Sequence, residues 1–168
     1  RLPGRAELLL NQLKDRLSEL AETPLLLKIL CDVVRESPDG NLPANRGELF
    51  RQEFARRYQA FKQKRGYISE DSRHVTESLL QYLAFRMING KSLTEPELQI
   101  SKVEAAQILQ EFLEKQSGTD TLVKASEYLE DLLEWDLLQV ASDVNEVEFH
   151  HQLFQEYYAA EYLLRLLI

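Results

Sequence analysis

The stretch that decides the fold runs from Leu137 to Leu164 and reads "LLQVASDVNEVEFHHQLFQEYYAAEYLL". Two short runs, "LLQVAS" and "EVEFHH", alternate apolar and polar residues on either side of Asp143, which predicts a β-hairpin. A helical pattern follows from about Gln152, with apolar residues spaced four and three apart. These residues are Leu153, Tyr157, Ala160, Leu164 and Leu167. We therefore expect a hairpin that leads into a helix, with these residues as its inward stripe.

Helical patterns also dominate the chain before the hairpin. Six glycines and five prolines among 168 residues, with 44% hydrophobic and 29% charged residues, are typical of a folded and mainly helical protein. Thr23 and Pro24 form a helix start, with threonine as the N-cap and proline at the first helical position. We expect helices over 5–20, 24–36, 47–64, 70–87, 102–115 and 121–134, with loops at 37–47, 66–72 and 89–101.

The order of these elements predicts the fold class. From Glu70 onward, three helices, a hairpin and a final helix match a winged-helix architecture, in which the hairpin is the wing. We predict a mainly α protein, a helical bundle followed by a winged-helix domain with one short β-hairpin. The composition turns from basic to acidic near Gly66, so we place a helical domain at 1–66 and the winged-helix domain at 67–168.

The charge of the chain argues against nucleic acid as a partner. Its net charge is −8 and its pI is near 5.0, whereas phosphate contacts need an excess of lysine and arginine. The expected recognition helix and wing, from Asp120 to Glu148, contain nine acidic residues and one lysine, Lys124. A winged-helix DNA binder is therefore the weaker alternative.

A search for catalytic or metal-binding patterns finds nothing self-contained. No Walker-type phosphate loop, HExxH motif or Cys/His cluster occurs, so we expect no metal site and no enzyme activity from this chain alone. His150 and His151 are adjacent, and adjacent strand residues point to opposite faces, which disfavours a shared metal ion. Cys31 lies among apolar residues and is expected to be a buried, inert thiol. No apolar run reaches the ~18 residues that a membrane span needs, so we expect a cytoplasmic protein without a membrane partner.

One helix carries a separate candidate surface. Its inward residues are Phe50, Phe54, Tyr58 and Phe61, spaced as on one helical face. Its other side carries Arg46, Arg51, Arg56, Arg57, Lys62, Lys64 and Arg65. This side is either a solvated basic face or a docking surface for an acidic neighbour. The second reading makes the chain a plain protein-interaction module, which is the first alternative function.

Three stretches, in order, resemble one family. "LAETPLLLKILCDVVRE" is similar to the Asn-Pro-Leu-Leu-Leu helix of NACHT-type STAND NTPases, and "NLPANRGELFRQEFARRY" is similar to their Leu-Pro-x-x-Arg-x-x-Leu-Tyr segment. "LLEWDLLQVASDVNEVEFHHQLFQEYYAAEYL" resembles their winged-helix end, with its Phe-x-His-x-x-Phe-Gln-Glu-Tyr-x-Ala-Ala pattern. The resemblance implies the helical and winged-helix domains of such a protein. A phosphate-loop core would precede them, and a sensor or repeat region commonly follows.

The family resemblance also implies roles for two residues. Members are switches that bind ATP and ADP, or GTP and GDP, with Mg²⁺, and the diphosphate holds a closed form. Pro24 aligns with the proline that packs near the adenine, although Thr23 replaces the family asparagine. His151 aligns with the histidine that contacts the β-phosphate, while capping or packing remains its structural alternative. The implied partners are the intramolecular nucleotide-binding domain and neighbouring protomers or the repeat region. No cofactor is expected in this chain alone.

Overall fold

A computed structural model describes five stretches of the chain, residues 23–37, 42–65, 70–90, 96–117 and 121–168. Contacts between Cα atoms divide the chain into two compact units, one ending at Arg56 and the other beginning at Arg57. The predicted border near Gly66 falls at residues 66–69, outside the described residues. The helix predicted over 5–20 lies outside them as well.

Helix α1, Pro24–Glu36, opens the described part of the first unit. The Thr23 hydroxyl oxygen accepts a hydrogen bond from the backbone N–H of Leu26 at 3.2 Å, and Pro24 occupies the first turn, so the predicted helix start is confirmed. The buried residues of α1 are Leu26, Ile29, Leu30, Val33 and Val34. They form one helical face, and Cys31 lies outside it. The prediction of a buried thiol is therefore wrong, because Cys31 is exposed.

Helix α2, Arg46–Arg65, begins with two side-chain hydrogen bonds. The Asn45 side-chain oxygen accepts from the Glu48 N–H at 2.9 Å, and the Glu48 carboxylate accepts from the Ala44 N–H at 2.6 Å. The first bond satisfies a backbone donor that a helix start otherwise leaves unpaired. The predicted inward residues of this helix are all buried, namely Phe50, Phe54, Tyr58 and Phe61. Tyr58 and Phe61 lie beyond Arg56 and belong to the second unit.

Within its described residues, the second unit contains four further helices and three short strands. In chain order they are α3 (Glu70–Ile88), β1 (Gln99–Ser101), α4 (Lys102–Ser117), α5 (Thr121–Glu134), β2 (Leu138–Val140), β3 (Glu146–Phe149) and α6 (Gln152–Leu167). Among the described residues, helix α3 packs most extensively against α6, and α4 against α5. The mainly helical fold class and the hairpin β2–β3 agree with the prediction.

A third strand completes the sheet and was not predicted. The strands lie in the order β1-β3-β2, and β3 pairs antiparallel with both neighbours. Ile100, Val147 and Val140 stand opposite one another in register. Residues 99–101 were assigned to a loop, because three residues carry too short an alternation to reveal a strand. The prediction of a hairpin alone is corrected to a three-stranded sheet.

Helix α6 buries a different face from the one predicted. Its buried residues are Phe154, Gln155, Tyr158 and Ala159. The predicted stripe lies one position away, and its members Ala160, Leu164 and Leu167 are exposed. This helix is apolar on most of its circumference, so a spacing of four and three fits several faces equally well. Packing against α3 and the sheet selects the buried face, which the periodicity alone does not identify.

Candidate functional site

His151 is the N-cap of helix α6. Its backbone is extended, and its ring Nδ1 accepts a hydrogen bond from the backbone N–H of Leu153 at 3.1 Å. Since Nδ1 is the acceptor, the neutral ring carries its proton on Nε2. The residue is exposed. His151 therefore satisfies one orphan donor of the helix and keeps one N–H available to an outside acceptor.

The site around His151 lies at the N-terminus of a helix, where the positive end of the helix dipole favours anions. His150 precedes it and is also exposed, and both histidines follow the last residue of β3, Phe149. A capping role and a ligand-contact role use different nitrogens of the His151 ring. The two readings of this residue are therefore compatible in one geometry.

Gln155 fastens the first turn of α6 to the rest of the second unit. Its side chain is buried, and its Nε2 donates to the backbone carbonyl of Glu97 at 2.8 Å. The Glu97 N–H in turn donates to the Met87 carbonyl at 2.9 Å, at the end of α3. A Cβ added at Gly90 would come within 2.7 Å of the Glu97 carboxylate, so this turn packs closely. The partner of the Gln155 side chain is therefore the segment before β1.

Aromatic side chains pack against one another near the N-terminus of helix α6. Tyr158 is buried and lies 6.2 Å from the Phe149 ring and 6.4 Å from the Phe154 ring, measured between centroids. Tyr157 contacts Tyr158 edge to face at 5.2 Å. Such pairs add stability beyond the area they bury. Phe154 and Tyr158 are thus buried in the core, whereas Tyr157, the aromatic residue of the predicted stripe, is half-buried.

Arg57, a second-unit residue of α2, contacts the end of α5 and the first turn of α6. Its guanidinium donates a hydrogen bond to the Asp136 carbonyl, at the end of α5, and lies over the Phe154 ring at 5.8 Å from the centroid. Asp136 has a φ of 56°, the left-handed conformation common at a helix end. The sequence placed Arg57 on the basic face of its helix. Only the tertiary structure reveals that it ties that helix to the entrance of α6.

The first unit uses part of the same basic face internally. Arg56 donates to the Glu53 carboxylate at 2.6 and 2.8 Å and lies 3.5 Å from Glu36. The hydrogen bonds to Glu53, and the nearby charges of Glu53, Glu36 and Asp32, raise the pKa of Arg56 against the opposing effect of burial. Arg56 is therefore committed to its own helix and to α1.

Pro24 is the other residue that the sequence singled out. It is exposed at the first position of α1, in the first unit, whereas His151 belongs to the second.

Near the end of helix α1, Asp32 accepts hydrogen bonds from Lys28 at 3.2 Å and from Arg35 at 2.7 Å. Burial raises the pKa of Asp32, but the hydrogen bond from Lys28 and the surrounding positive charges outweigh it and lower that pKa.

Helix α5 and the β2–β3 hairpin carry the acidic surface that the sequence predicted. Glu127 and Glu130 are exposed on α5, and Asp143 is exposed between the hairpin strands. Burial, followed by the charges of Asp131 and Glu127, raises the pKa of Tyr128. The charges add to the effect of burial, because a tyrosine ionises less readily beside negative charges.

Comparisons with known proteins leave the family open, since no family model, curated protein or solved structure matches the chain significantly. Within the described ranges, no group of three or more histidine, cysteine or carboxylate residues is arranged to hold a metal ion. None of the helices in those ranges has the length and apolar character needed to cross a bilayer.

Proposed function

We propose that this chain is the regulatory helical and winged-helix part of a NACHT-type signalling NTPase. It would couple the state of a bound nucleotide to closed and open conformations and to oligomerisation. By itself it would not be an enzyme. The nucleotide and Mg²⁺ would be held mainly by a phosphate-loop core elsewhere in the parent protein, which we expect to act in the cytoplasm.

The connectivity of the second unit supports the winged-helix part of this proposal. Helix, strand, two helices, hairpin and helix follow one another, and the sheet order is β1-β3-β2. A winged helix needs a third strand that pairs with the hairpin, and β1 supplies that pairing through Gln99 to Ser101. The pairing of β1 with β3 supports the winged-helix fold independently of the family resemblance, because the sequence did not predict β1.

The geometry of His151 carries the nucleotide part of the proposal. Its Nδ1 is engaged by the helix, which leaves the Nε2–H as an exposed donor at the helix N-terminus, where the helix dipole favours anions. A diphosphate oxygen is a suitable acceptor for that donor. A hydrogen bond to a charged group is worth about 1.5–3 kcal/mol, or roughly tenfold or more in population. If it forms only in the closed state, it biases the switch toward that state.

Two substitutions in the full-length protein separate the contact from the cap. We expect both His151→Ala and His151→Ser to lose bound diphosphate faster and to raise basal activity. Serine still accepts a hydrogen bond from the Leu153 N–H, so only alanine should also lower the unfolding free energy, by about 1 kcal/mol. The measurements are diphosphate release, basal signalling and chemical denaturation.

The serine variant decides the outcome. Unchanged diphosphate retention and basal activity in His151→Ser would leave capping as the role of this histidine.

Pro24→Ala tests the adenine contact in the same assay. The Thr23 cap remains in that variant, so a change in nucleotide retention without a change in stability would support the contact.

A further inference from the structure

Two cations converge on one hydroxyl group where α3 meets α4. Arg86 Nη1 lies 2.9 Å from the Tyr82 hydroxyl oxygen, and Lys115 Nζ lies 3.5 Å from the same atom. Both cations also stand near the tyrosine ring, at 5.7 and 5.4 Å from its centroid. Because they contact one oxygen, the two charged groups are close enough for one small anion to reach both.

Tyr82 holds this arrangement in place. Its side chain is only 4% exposed, so the ring is anchored in the core while the hydroxyl meets the two cations. The Phe112 ring lies 5.1 Å from the Tyr82 ring, and the Tyr162 ring lies 5.3 Å from it. A donor fixed in advance by packing loses little freedom when it binds a ligand.

The charges in this cluster are unbalanced. Arg86 forms an ion pair with Glu111, which is 48% exposed. Within the described part of the chain, Lys115 has contacts only with Tyr82, and no carboxylate pairs with it. The cluster therefore carries two positive charges against one negative charge. The Tyr82 oxygen accepts from both cations, so its own hydrogen is not used in these two bonds and can serve a third partner.

We propose that Arg86, Lys115 and the Tyr82 hydroxyl bind the phosphate group of inorganic phosphate or of a small phosphate monoester. Arginine and lysine are the side chains that recognise phosphate oxygens, and the hydroxyl adds a third donor. Glu111 competes with the ligand for Arg86. The site uses none of the residues on which the proposed function depends.

The probe is sodium phosphate, titrated at neutral pH and constant ionic strength into the isotopically labelled 168-residue chain. We expect saturable shifts of the Arg86, Lys115 and Tyr82 side-chain resonances. Lys115→Gln should raise the apparent Kd about twofold to fivefold, the range for one exposed charge pair. Tyr82→Phe keeps the ring and removes the hydroxyl, and it should also raise the Kd. Glu111→Gln should lower it by a similar factor, because Arg86 becomes available.

Matched control variants distinguish phosphate binding at this site from a general effect of the charge of the protein. Lys124→Gln and Glu130→Gln make the same charge changes on α5, at exposed positions. We expect neither to change the Kd. The proposal is overturned if phosphate leaves these resonances unmoved, if the shifts do not saturate, or if the α5 variants change the Kd as much as the α4 variants.

A second titration, with glycerol 3-phosphate, identifies the source of the phosphate group. Equal Kd values for the two probes would show that the phosphate group alone is recognised. Tighter binding of the ester would assign the site to a phosphate monoester. Saturable binding of neither probe would overturn the proposal.

Discussion

At the scale of single residues, Asp136 is the non-glycine residue that has a left-handed backbone within the described part of the chain. It adopts a φ of 56°, and the Leu137 N–H donates to the Leu132 carbonyl at 3.1 Å, which closes the end of α5. A left-handed residue with a Cβ costs roughly 1–2 kcal/mol, although aspartate tolerates this conformation better than most. Its carboxylate also lies at the negative end of a helix dipole.

We predict that Asp136→Gly raises the unfolding free energy by about 0.5–1 kcal/mol, because glycine relieves both costs but makes the unfolded chain more flexible. Urea denaturation measures the change. Asp136→Asn removes only the charge and serves as the control. If Asp136→Asn stabilises the fold as much as Asp136→Gly does, the backbone conformation of Asp136 does not contribute to the change in unfolding free energy.

At the scale of elements, the sheet is held on one face by a row of polar side chains. Glu148 of β3 accepts hydrogen bonds from Gln99 of β1 and from Gln139 of β2, each at 2.6 Å. These residues stand in register across all three strands. Glu148 thus links the predicted hairpin to the strand that the sequence did not reveal.

We predict that Glu148→Ala lowers the unfolding free energy by about 1 kcal/mol, since it removes two partly exposed hydrogen bonds that a charged group accepts. Glu146→Ala is the matched control, because Glu146 lies two residues earlier on the same face of β3. Thermal denaturation of both variants tests this. Equal losses of unfolding free energy in the two variants would mean that the hydrogen bonds of Glu148 add no stability beyond the strand propensity of glutamate.

Helix α1 contains a carboxylate whose ionisation stabilises the fold. The pKa of Asp32 is lowered in the folded chain from an ordinary value of 3.8, because Lys28, Arg35 and Arg56 outweigh the effect of burial. A lowered pKa means that the folded state favours the charged form. The resulting stabilisation is full above about pH 3.8 and disappears as the pH falls through the folded-state pKa.

We predict that Asp32→Asn is less stable than the natural chain at neutral pH, and that the difference shrinks on acidification below pH 3.8. Urea denaturation at a series of pH values measures the difference. A gap between the two proteins that is constant across the series would show that the carboxylate charge is not its source.

At the scale of the whole molecule, the distribution of charge disfavours DNA binding. The net charge is −8, and the exposed side of α5 carries Glu127 and Glu130. We predict that the chain does not retard duplex DNA in a mobility-shift assay, even at low salt where phosphate contacts are strongest. A retarded band that weakens as salt is added would contradict this. Lys124→Glu provides a further check, because it would abolish binding carried by the lysine of that helix.

Helix boundaries were predicted well where the chemistry is local. The Thr23 cap, the Pro24 start and the beginning of α6 at Gln152 each depend on neighbouring residues, and each matches the structure within the limits of helix assignment. Cys31 and the inward stripe of α6 were predicted incorrectly. Both lie in helices rich in apolar residues, where tertiary packing decides which side is buried.

The sequence by itself determined the mainly helical class, the hairpin, the cap residues and the negative charge of α5, because local spacing and composition specify these properties. Only the tertiary structure decided the third strand, the buried face of α6, and the partners of Gln155, Arg57 and Lys115. These depend on residues far apart in the chain, such as Gln155 and Glu97, whose contact leaves no periodic signal. The same holds for His151, since its position next to a helix suggested a cap, but the engaged nitrogen is defined only by the folded geometry.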